Sequence, residues 1–442
     1  MNYQDVINGM NLLKEDYSDK QQNTLFVSTF KKAIEKSKYY RDLIQSHGVY
    51  PSDISGIEDI SKLPIIEVEL FLNTPFVNDN EVVRFCQTSG STGKPKIIPY
   101  TKNDIDNAVI SQVRSFIFSG IKQYEKCLCV MAYGPWASGL ICQSAGELIG
   151  LTIPAEVNLG VDYQLWALKH CLPDYMICLP SFLPYLEKIC IDYNMDTTSL
   201  SLKKIFLVGE VFSDEFRQTF QKLFDVEIFN IYANTEFGLI ATECSHGKLH
   251  IWDDMFYTET INPETGEYCK EGEIGELIIT ALQREAVPLI RYNTHDLVQV
   301  CEGTCDCGHT GTYFSEIKGR GDDVFTYAGG NVYPAGIEKA VTSVNGLSNI
   351  YKCIIQKVNN RDHFHFQIET RENFTQEKVE NLKKVFFEEL IKSNSLLKVI
   401  FLDYKLTAKP DIDILPPGGL GHKSGKVKKI IDMRIISSAN LN

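Results

Sequence analysis

The sequence predicts an α/β protein of two domains, a large one of layered sheets and helices followed by a small α+β one, on three observations. Its 442 residues exceed what one ordinary hydrophobic core serves. From about residue 80 to 320, near-continuous apolar runs alternate with amphipathic stretches, as in Cys127-Leu128-Cys129-Val130-Met131, Tyr175-Met176-Ile177-Cys178-Leu179 and Lys204-Ile205-Phe206-Leu207-Val208. Runs of that kind are strands with both faces covered by helices. After Asp323 the pattern restarts on a smaller scale, so the boundaries are drawn at 1–321 and 322–442.

In chain order, residues 1–63 read as helical. Phe26 to Ile44 has apolar residues at helical spacing opposite lysines, Gly48-Val49-Tyr50-Pro51 stops the run, and Leu63-Pro64 closes the segment. Val82-Val83-Arg84-Phe85-Cys86 is strand-like, and so is Lys96-Ile97-Ile98-Pro99-Tyr100. In the small domain, Ile350-Tyr351-Lys352-Cys353-Ile354-Ile355 reads as a strand, Gln376 to Ser393 as a helix and Leu397-Lys398-Val399-Ile400-Phe401 as a strand. There is no repeat and no low-complexity segment.

Composition narrows the function classes. With 44% hydrophobic and 23% charged residues the chain has ordinary globular composition. A net charge of −13 argues against nonspecific binding to nucleic acid or an acidic membrane, so any bound anion must sit in a local nest. No apolar run approaches the ~20 residues of a membrane span. Met1-Asn2-Tyr3-Gln4-Asp5 lacks the features of a signal peptide, and a cytoplasmic location without membrane partners is expected. The thirteen cysteines fit that compartment as reduced thiols, with Cys127, Cys129, Cys178 and Cys190 placed as small core residues.

Between the first two strands lies Thr88-Ser89-Gly90-Ser91-Thr92-Gly93-Lys94-Pro95-Lys96, the segment 88–96. Small residues admit close backbone approach, while hydroxyls, N–H groups and two lysines converge on anionic oxygens. It is not the common P-loop, because Pro95 follows Lys94 and sends the chain out extended rather than into a helix. A flexible Gly/Ser linker is the bland alternative, but a linker has no reason to sit between paired strands. A second cluster suggests metal. Cys301, Cys305, Cys307 and His309 lie in one short turn, and Cys244, His246 and His250 in another. Two separated ligand pairs converging on one tetrahedral ion is the usual construction of a structural zinc site. The set chosen is Cys244, His250, Cys305 and Cys307, with His246 or Cys301 as substitutes and unliganded thiols as the plain alternative.

The phosphate-gripping string resembles that of the adenylate-forming superfamily, especially its phenylacetate–coenzyme A ligase and coenzyme F390 synthetase branch. Further matches follow in order: Ile231-Tyr232-Ala233-Asn234-Thr235-Glu236, then Gly275-Glu276-Leu277 through Arg284 to Arg291-Tyr292-Asn293-Thr294-His295-Asp296. Gly319-Arg320-Gly321-Asp322-Asp323 with Gly330-Asn331-Val332-Tyr333-Pro334, and Ser424-Gly425-Lys426, complete the set. The resemblance implies an ATP-dependent, AMP-forming acid–thiol ligase. It implies that Ser89, Gly90, Ser91, Thr92, Gly93 and Lys94 hold the β- and γ-phosphates, that Thr235 meets the α-phosphate and that Glu236 holds Mg²⁺. Tyr232 with Ala233 and Asn234 would face adenine, Asp296 the ribose hydroxyls, and Arg320 ribose or phosphate. Gly209 and Glu210 would belong to the nucleotide side, and Val211 to the acid pocket with Tyr133, Gly134, Trp136 and Ser138. Asp322 matches the hinge, Gly329, Gly330 and Asn331 the passage for the pantetheine arm of coenzyme A, and Lys426 the catalytic lysine of a mobile C-terminal domain. Relatives often carry a Cys-x-Cys-Gly turn where Cys305-Asp306-Cys307-Gly308 stands, which supports zinc.

Each residue has a plainer reading beside it. A lone Thr-Glu pair often caps a helix, an Asp or Arg is often a surface ion pair, and the basic tail of Lys423, Lys426, Lys428 and Lys429 is usually solvated. The sequence also departs from the branch: Asn293 and His295 replace expected basic or glycine positions, and Ala233 replaces a glycine. Trp136 suits a flat aromatic or short acid. The expected partners are therefore a small, aromatic carboxylic acid, ATP and coenzyme A, with a homodimer left open. Loading of a carrier-protein thiol or an amine is the alternative, and a non-catalytic nucleotide-binding scaffold is a third reading.

Overall fold

Residue choice sets the local structure before any packing. In this computed structural model, residues 3–16, 19–67, 81–88, 96–156, 159–180, 182–210, 212, 214–263, 265–320, 325–327, 330–332, 334–358, 361–398, 401–402, 409–421 and 429–433 are described. The helical start is three helices, Tyr3–Asp16, Asp19–Lys36 and Lys38–Ser46. The single helix expected over Phe26 to Ile44 is broken at Ser37, whose backbone is extended (φ −110°, ψ 116°) and whose hydroxyl caps the third helix by accepting from Tyr40 N. A serine that competes for its own backbone ends one helix and starts the next.

The chain forms two compact units. The first comprises Met1–Cys178, Ser201–Gly209 and Glu227–Ile317, and the second Leu179–Leu200, Glu210–Val226 and Lys318–Asn442. The first unit holds a hairpin, β1 (Val82–Gln87) with β2 (Ile97–Thr101), and one eleven-stranded sheet. The sheet strands are β3 (Cys127–Val130), β4 (Thr152–Pro154), β5 (Tyr175–Cys178), β6 (Lys204–Val208), β7 (Glu227–Asn234), β8 (Gly238–Glu243) and β9 (Leu249–Ile251). They continue with β10 (Phe256–Ile261), β11 (Ile274–Ala281), β12 (Tyr292–Thr304) and β13 (Thr310–Arg320). Their order is β10-β11-β12-β13-β9-β8-β7-β6-β5-β3-β4. From β4 to β7 the pairing is parallel, as the fully apolar runs of β3, β5 and β6 require. From β7 through β8 and β9 it is antiparallel, and β10-β11-β12 is antiparallel too. The parallel half packs an aromatic knot: Phe116 of the helix Lys102–Phe118 meets Phe206 at 4.9 Å and Tyr175 at 5.1 Å, both edge to face.

In the second unit, β14 (Phe325–Tyr327) and β15 (Gly330–Val332) form a hairpin. Strands β16 (Leu347–Val358), β17 (Arg361–Thr370), β18 (Asp411–Leu415) and β19 (Ile430–Asp432) form a four-stranded sheet in the order β18-β17-β16-β19. The expected helix Gln376–Ser393 forms as read, capped by Thr375, and lays Phe386 on Phe366 at 5.3 Å. Of the strand expected over Leu397 to Phe401, Leu397 and Lys398 fall instead in the helical turn Ser395–Lys398, and Val399 and Ile400 lie outside the described residues. Leu397 and Phe401 both enter the core of the second unit.

Candidate active site

Thr88 and Lys96 close the base of the phosphate-gripping segment. Thr88 N donates to Lys96 O at 3.1 Å and Lys96 N to Thr88 Oγ1 at 3.0 Å. Ser89, Gly90, Ser91, Thr92, Gly93 and Lys94 themselves lie outside the described residues, as do Val211, Asp322, Gly329 and Lys426. Gln87 N donates to Pro135 O at 2.7 Å, which ties the hairpin to the Tyr133–Trp136 turn. After β2, Thr101 and Asp104 make a capping box for the helix Lys102–Phe118. The carboxylate of Asp104 also accepts the N–H groups of Glu285 (2.8 Å) and Ala286 (3.0 Å), so the stretch leading to Asp296 is docked on that helix start.

The turn between β7 and β8 supplies the other wall. Thr235 and Glu236 stand in a turn between two strands, not at a helix start, which removes the capping alternative. Asn234 shapes the turn by accepting Phe237 N at 2.9 Å, and a register shift at Tyr232/Ala233 bends the strand end. Tyr100 donates its hydroxyl to Thr235 O at 2.5 Å. Glu236 is buried, yet its Oε1 accepts from Lys96 Nζ at 2.5 Å and from the Tyr292 hydroxyl at 3.3 Å. Lys96 and Tyr292 were not among the expected site residues. Lys96 is the second lysine of segment 88–96 and Tyr292 lies in the string that ends at Asp296, so each stands in a quoted motif, but what brings them to Glu236 is the fold. A buried carboxylate with a hard oxygen beside a phosphate-gripping loop fits Mg²⁺.

Asp296 stands in a bulge of β12. Glu276 pairs with Leu297 and Ile278 with Asn293, so β12 spends extra residues at Thr294-His295-Asp296, with His295 left-handed at φ +58°. The Tyr232 hydroxyl donates to Asp296 Oδ2, and the Tyr232 ring stands edge to face on Phe314 at 5.3 Å. Three strands separate β7 from β12 in the sheet order, yet these two side chains meet.

His295, a departure from the branch pattern, is held by two carboxylates. Its ring nitrogens lie 2.8 Å from Glu67 and 3.6 Å from Glu276, and Asn293 Nδ2 donates to the same two groups at 3.2 and 2.9 Å. Glu276 first and Glu67 second push the imidazole up to about 10, and the ring in turn holds Glu276 below the usual carboxylate range. The positive charge missing from a guanidinium is thus restored by a histidine.

Gly209 follows β6 with φ +87°, a left-handed turn that favours glycine, and Glu210 follows it. Tyr133 and Ser138 are half-buried, Gly134 has φ +92°, and Trp136, just before the helix Ala137–Ile149, is 39% exposed. An exposed indole is not a core residue. Arg320 ends β13, and Gly330 and Asn331 begin β15 opposite Tyr327 and Thr326.

The four expected zinc ligands do converge. One donor atom from each of Cys244, His250, Cys305 and Cys307 lies within 4.8 Å of the others, with Cys244 Sγ 3.8 Å from Cys305 Sγ and Cys307 Sγ 3.4 Å from His250 Nε2. Zn–S bonds of about 2.3 Å in a tetrahedron place sulfurs about 3.8 Å apart, so the donor set fits the ion. Burial pushes His250 down to about 4, leaving its ring neutral near pH 7. Among the described residues, which include all thirteen cysteines, none forms a disulfide.

Family comparisons agree with this geometry. Residues 68–283 match the AMP-binding enzyme family and residues 329–434 the AMP-binding enzyme C-terminal domain. The chain belongs to the adenylate-forming superfamily. Within it, the phenylacetate–coenzyme A ligase branch is the right one. A phenylacetate–coenzyme A ligase of Thermus thermophilus is 28% identical over 90% of this chain and 93% of its own length, and one of Pseudomonas putida is 29% identical over 92% of each. The superfamily fold is shared with a 2-hydroxyisobutyryl-CoA ligase in its postadenylation state, at TM-score 0.83 and 19% identity over 96% of this chain and 91% of that one. Membership makes the chain an AMP-forming ligase that uses ATP. Among the described residues no helix is long and apolar enough to cross a membrane.

Proposed function

We propose that this ligase adenylates a small aromatic carboxylic acid and passes the acyl group to coenzyme A. One observation carries the reading: Glu236, Lys96 and Tyr292 meet beside the tied base of the phosphate-gripping segment, in the same unit as the Tyr232–Asp296 pair. In the first step a carboxylate oxygen of the acid bonds to the α-phosphorus of ATP and pyrophosphate leaves. In the second the thiolate of coenzyme A bonds to the acyl carbon and AMP leaves. The first step brings two anions together, so it needs positive charge placed where negative charge develops. Ser89, Ser91, Thr92 and Lys94 are assigned to the outer phosphates, Thr235 to the α-phosphate, and Lys426 to the bridge between carboxylate and α-phosphate. Tyr232 and Asp296 are assigned to adenosine, with Arg320. Glu236 would hold Mg²⁺, which neutralises phosphate charge when bound.

The aromatic acid is supported by the names of the relatives and by the exposed indole of Trp136 beside Tyr133. Asp322 is assigned as the hinge between 1–321 and 322–442, and Gly329, Gly330 and Asn331 as the path of the pantetheine arm. A structural Zn²⁺ on Cys244, His250, Cys305 and Cys307 would pin the β8–β9 turn to the β12–β13 turn. Acid-dependent exchange of labelled pyrophosphate into ATP, run over a panel of aryl, arylacetic and aliphatic acids, tests the first step, and thioester formation with free coenzyme A tests the second. Exchange with no acid of the panel would reject the enzyme reading. Exchange with an aryl acid but transfer only to carrier-protein thiols or amines would move the acceptor to the alternative.

A further inference from the structure

Asp296 directly follows a residue whose backbone sits in an uncommon state. His295 has φ +58°, and Arg291, at the other end of the same stretch, has φ +55°, both in the left-handed region that a residue with a Cβ enters at a cost. Such a conformation persists only where its surroundings over-determine it. Here they do. On the main chain, His295 N donates to Asn293 Oδ1 at 2.9 Å, Asp296 N to Thr294 Oγ1 at 3.1 Å, and Thr294 Oγ1 to Leu277 O at 2.9 Å. On the side chain, the imidazole stands between two carboxylates from separate elements, Glu67 after the N-terminal helices at 2.8 Å and Glu276 on β11 at 3.6 Å. Asn293 Nδ2 donates to the same two groups, and the segment carrying Glu67 is itself tied to the stretch: Ile66 N donates to Arg291 O at 2.8 Å and Asn293 N to Ile66 O at 2.9 Å. One residue on, Asp296 Oδ2 accepts the Tyr232 hydroxyl.

We propose that His295 is a positioning residue for the nucleotide: clamped between Glu67 and Glu276, it holds the left-handed turn that aims the Asp296 carboxylate at the ribose hydroxyls. The inference rests on the assignment of Asp296 to adenosine above. A single planar peptide joins the two residues, so a change in the backbone of His295 swings the next side chain directly. Two hydroxyls donating to one carboxylate demand direction as well as distance, because hydrogen bonds weaken steeply when bent. An alanine at this position keeps the Cβ that disfavours the left-handed region and gives up both carboxylates, whereas an arginine keeps a cation between them. His295 itself touches no reactant.

The test measures kcat and KM in acid-dependent pyrophosphate exchange, with ATP and with 2′-deoxy-ATP, for the wild-type chain, Asp296→Ala, His295→Ala, His295→Arg and Glu67→Gln. The readout is the ratio of the KM for 2′-deoxy-ATP to that for ATP, which reports contact with the 2′-hydroxyl and which a merely structural role would leave unmoved. The wild-type ratio should be about ten, as for a hydrogen bond to a charged group, and Asp296→Ala should bring it close to one. His295→Ala should raise KM for ATP by about fivefold or more and lower the ratio by about threefold or more while kcat stays within about threefold, the pattern of lost binding. Glu67→Gln, at the more exposed of the two partners, should move the ratio the same way by about twofold, and His295→Arg should recover most of the loss. If His295→Ala does not fold, Glu67→Gln is held to its own expectation. A ratio that Asp296→Ala collapses but His295→Ala and Glu67→Gln leave at the wild-type value, or a His295→Arg no better than His295→Ala, would overturn the clamp and leave the ribose reading intact. A ratio that Asp296→Ala does not move would overturn that reading and the clamp with it.

Discussion

His295 keeps its proton because Glu276 and Glu67 both face it, and that has a measurable pH signature. Its folded value, about 10, lies above the unfolded 6.5, so the stabilisation is full below about pH 6.5, falls as pH rises, and is gone above about 10. The carboxylates must be ionised as well, which sets the acid edge of the window. The melting temperature of the wild-type chain minus that of His295→Gln should therefore be largest near pH 6 and shrink steadily towards pH 10; a difference independent of pH would refute the clamp. Trp136 bears on substrate choice at the same scale. Trp136→Ala should reorder kcat/KM among acids by about 1–3 kcal/mol and favour bulkier ones, with KM for ATP nearly unchanged. An unaltered order of preference would remove the indole from the pocket. The sequence showed Thr235, Glu236 and Asp296 because each lies in a contiguous string. It gave Tyr292 no role, although that residue lies in the string ending at Asp296, because its partner Glu236 is 56 residues away.

At the scale of elements, legibility followed the number of covered faces. Strands β3, β5 and β6 were readable because both faces are apolar, and Gln376–Ser393 because its apolar period is unbroken. The break at Ser37 is set by one capping side chain, which a reading by apolar period passes over, and the helical turn Ser395–Lys398 stands where a strand is expected. The β12 bulge could not be read at all, because no local rule places a left-handed histidine before Asp296. The Cys/His cluster brings together two turns 61 residues apart in sequence, Cys244 with Cys305. Protein purified without chelators should contain about one equivalent of zinc, as one four-ligand site requires. Cys305→Ala with Cys307→Ala should lose it and melt at lower temperature; elemental analysis without zinc would eliminate the site.

For the whole molecule, the proposed reaction asks one cleft to serve two chemistries in turn, with a rotation about Asp322 between them. A substitution that stiffens that position, Asp322→Pro, should leave pyrophosphate exchange within about threefold of wild type and slow thioester formation from supplied acyl-adenylate by at least about tenfold. Both half-reactions slowing alike would point away from a hinge. Two units and a large mixed sheet were within reach of the sequence, since composition and periodicity act locally. The meeting of Tyr232 with Asp296 was not, because it joins residues 64 apart in sequence from strands that are not neighbours in the sheet.

The N-terminal helices are secured from far downstream. Thr29 donates to Leu282 O, Ile57 N to Asn23, and Arg291 to Ser61 O and Leu63 O, the first and last of these spanning 228 to 253 residues. During synthesis these helices leave the ribosome before the β11–β12 connection that anchors them, which follows only after some 230 to 250 more residues. At about 5–20 residues per second that interval is roughly 10–50 s. Throughout it Thr29, on the same helix as the buried Phe26, Phe30 and Ala33, lacks the Leu282 carbonyl it meets in the finished fold. Until then the nascent chain must hold that helix by itself or with a chaperone, and truncated chains ending before Leu282 should hold it less firmly.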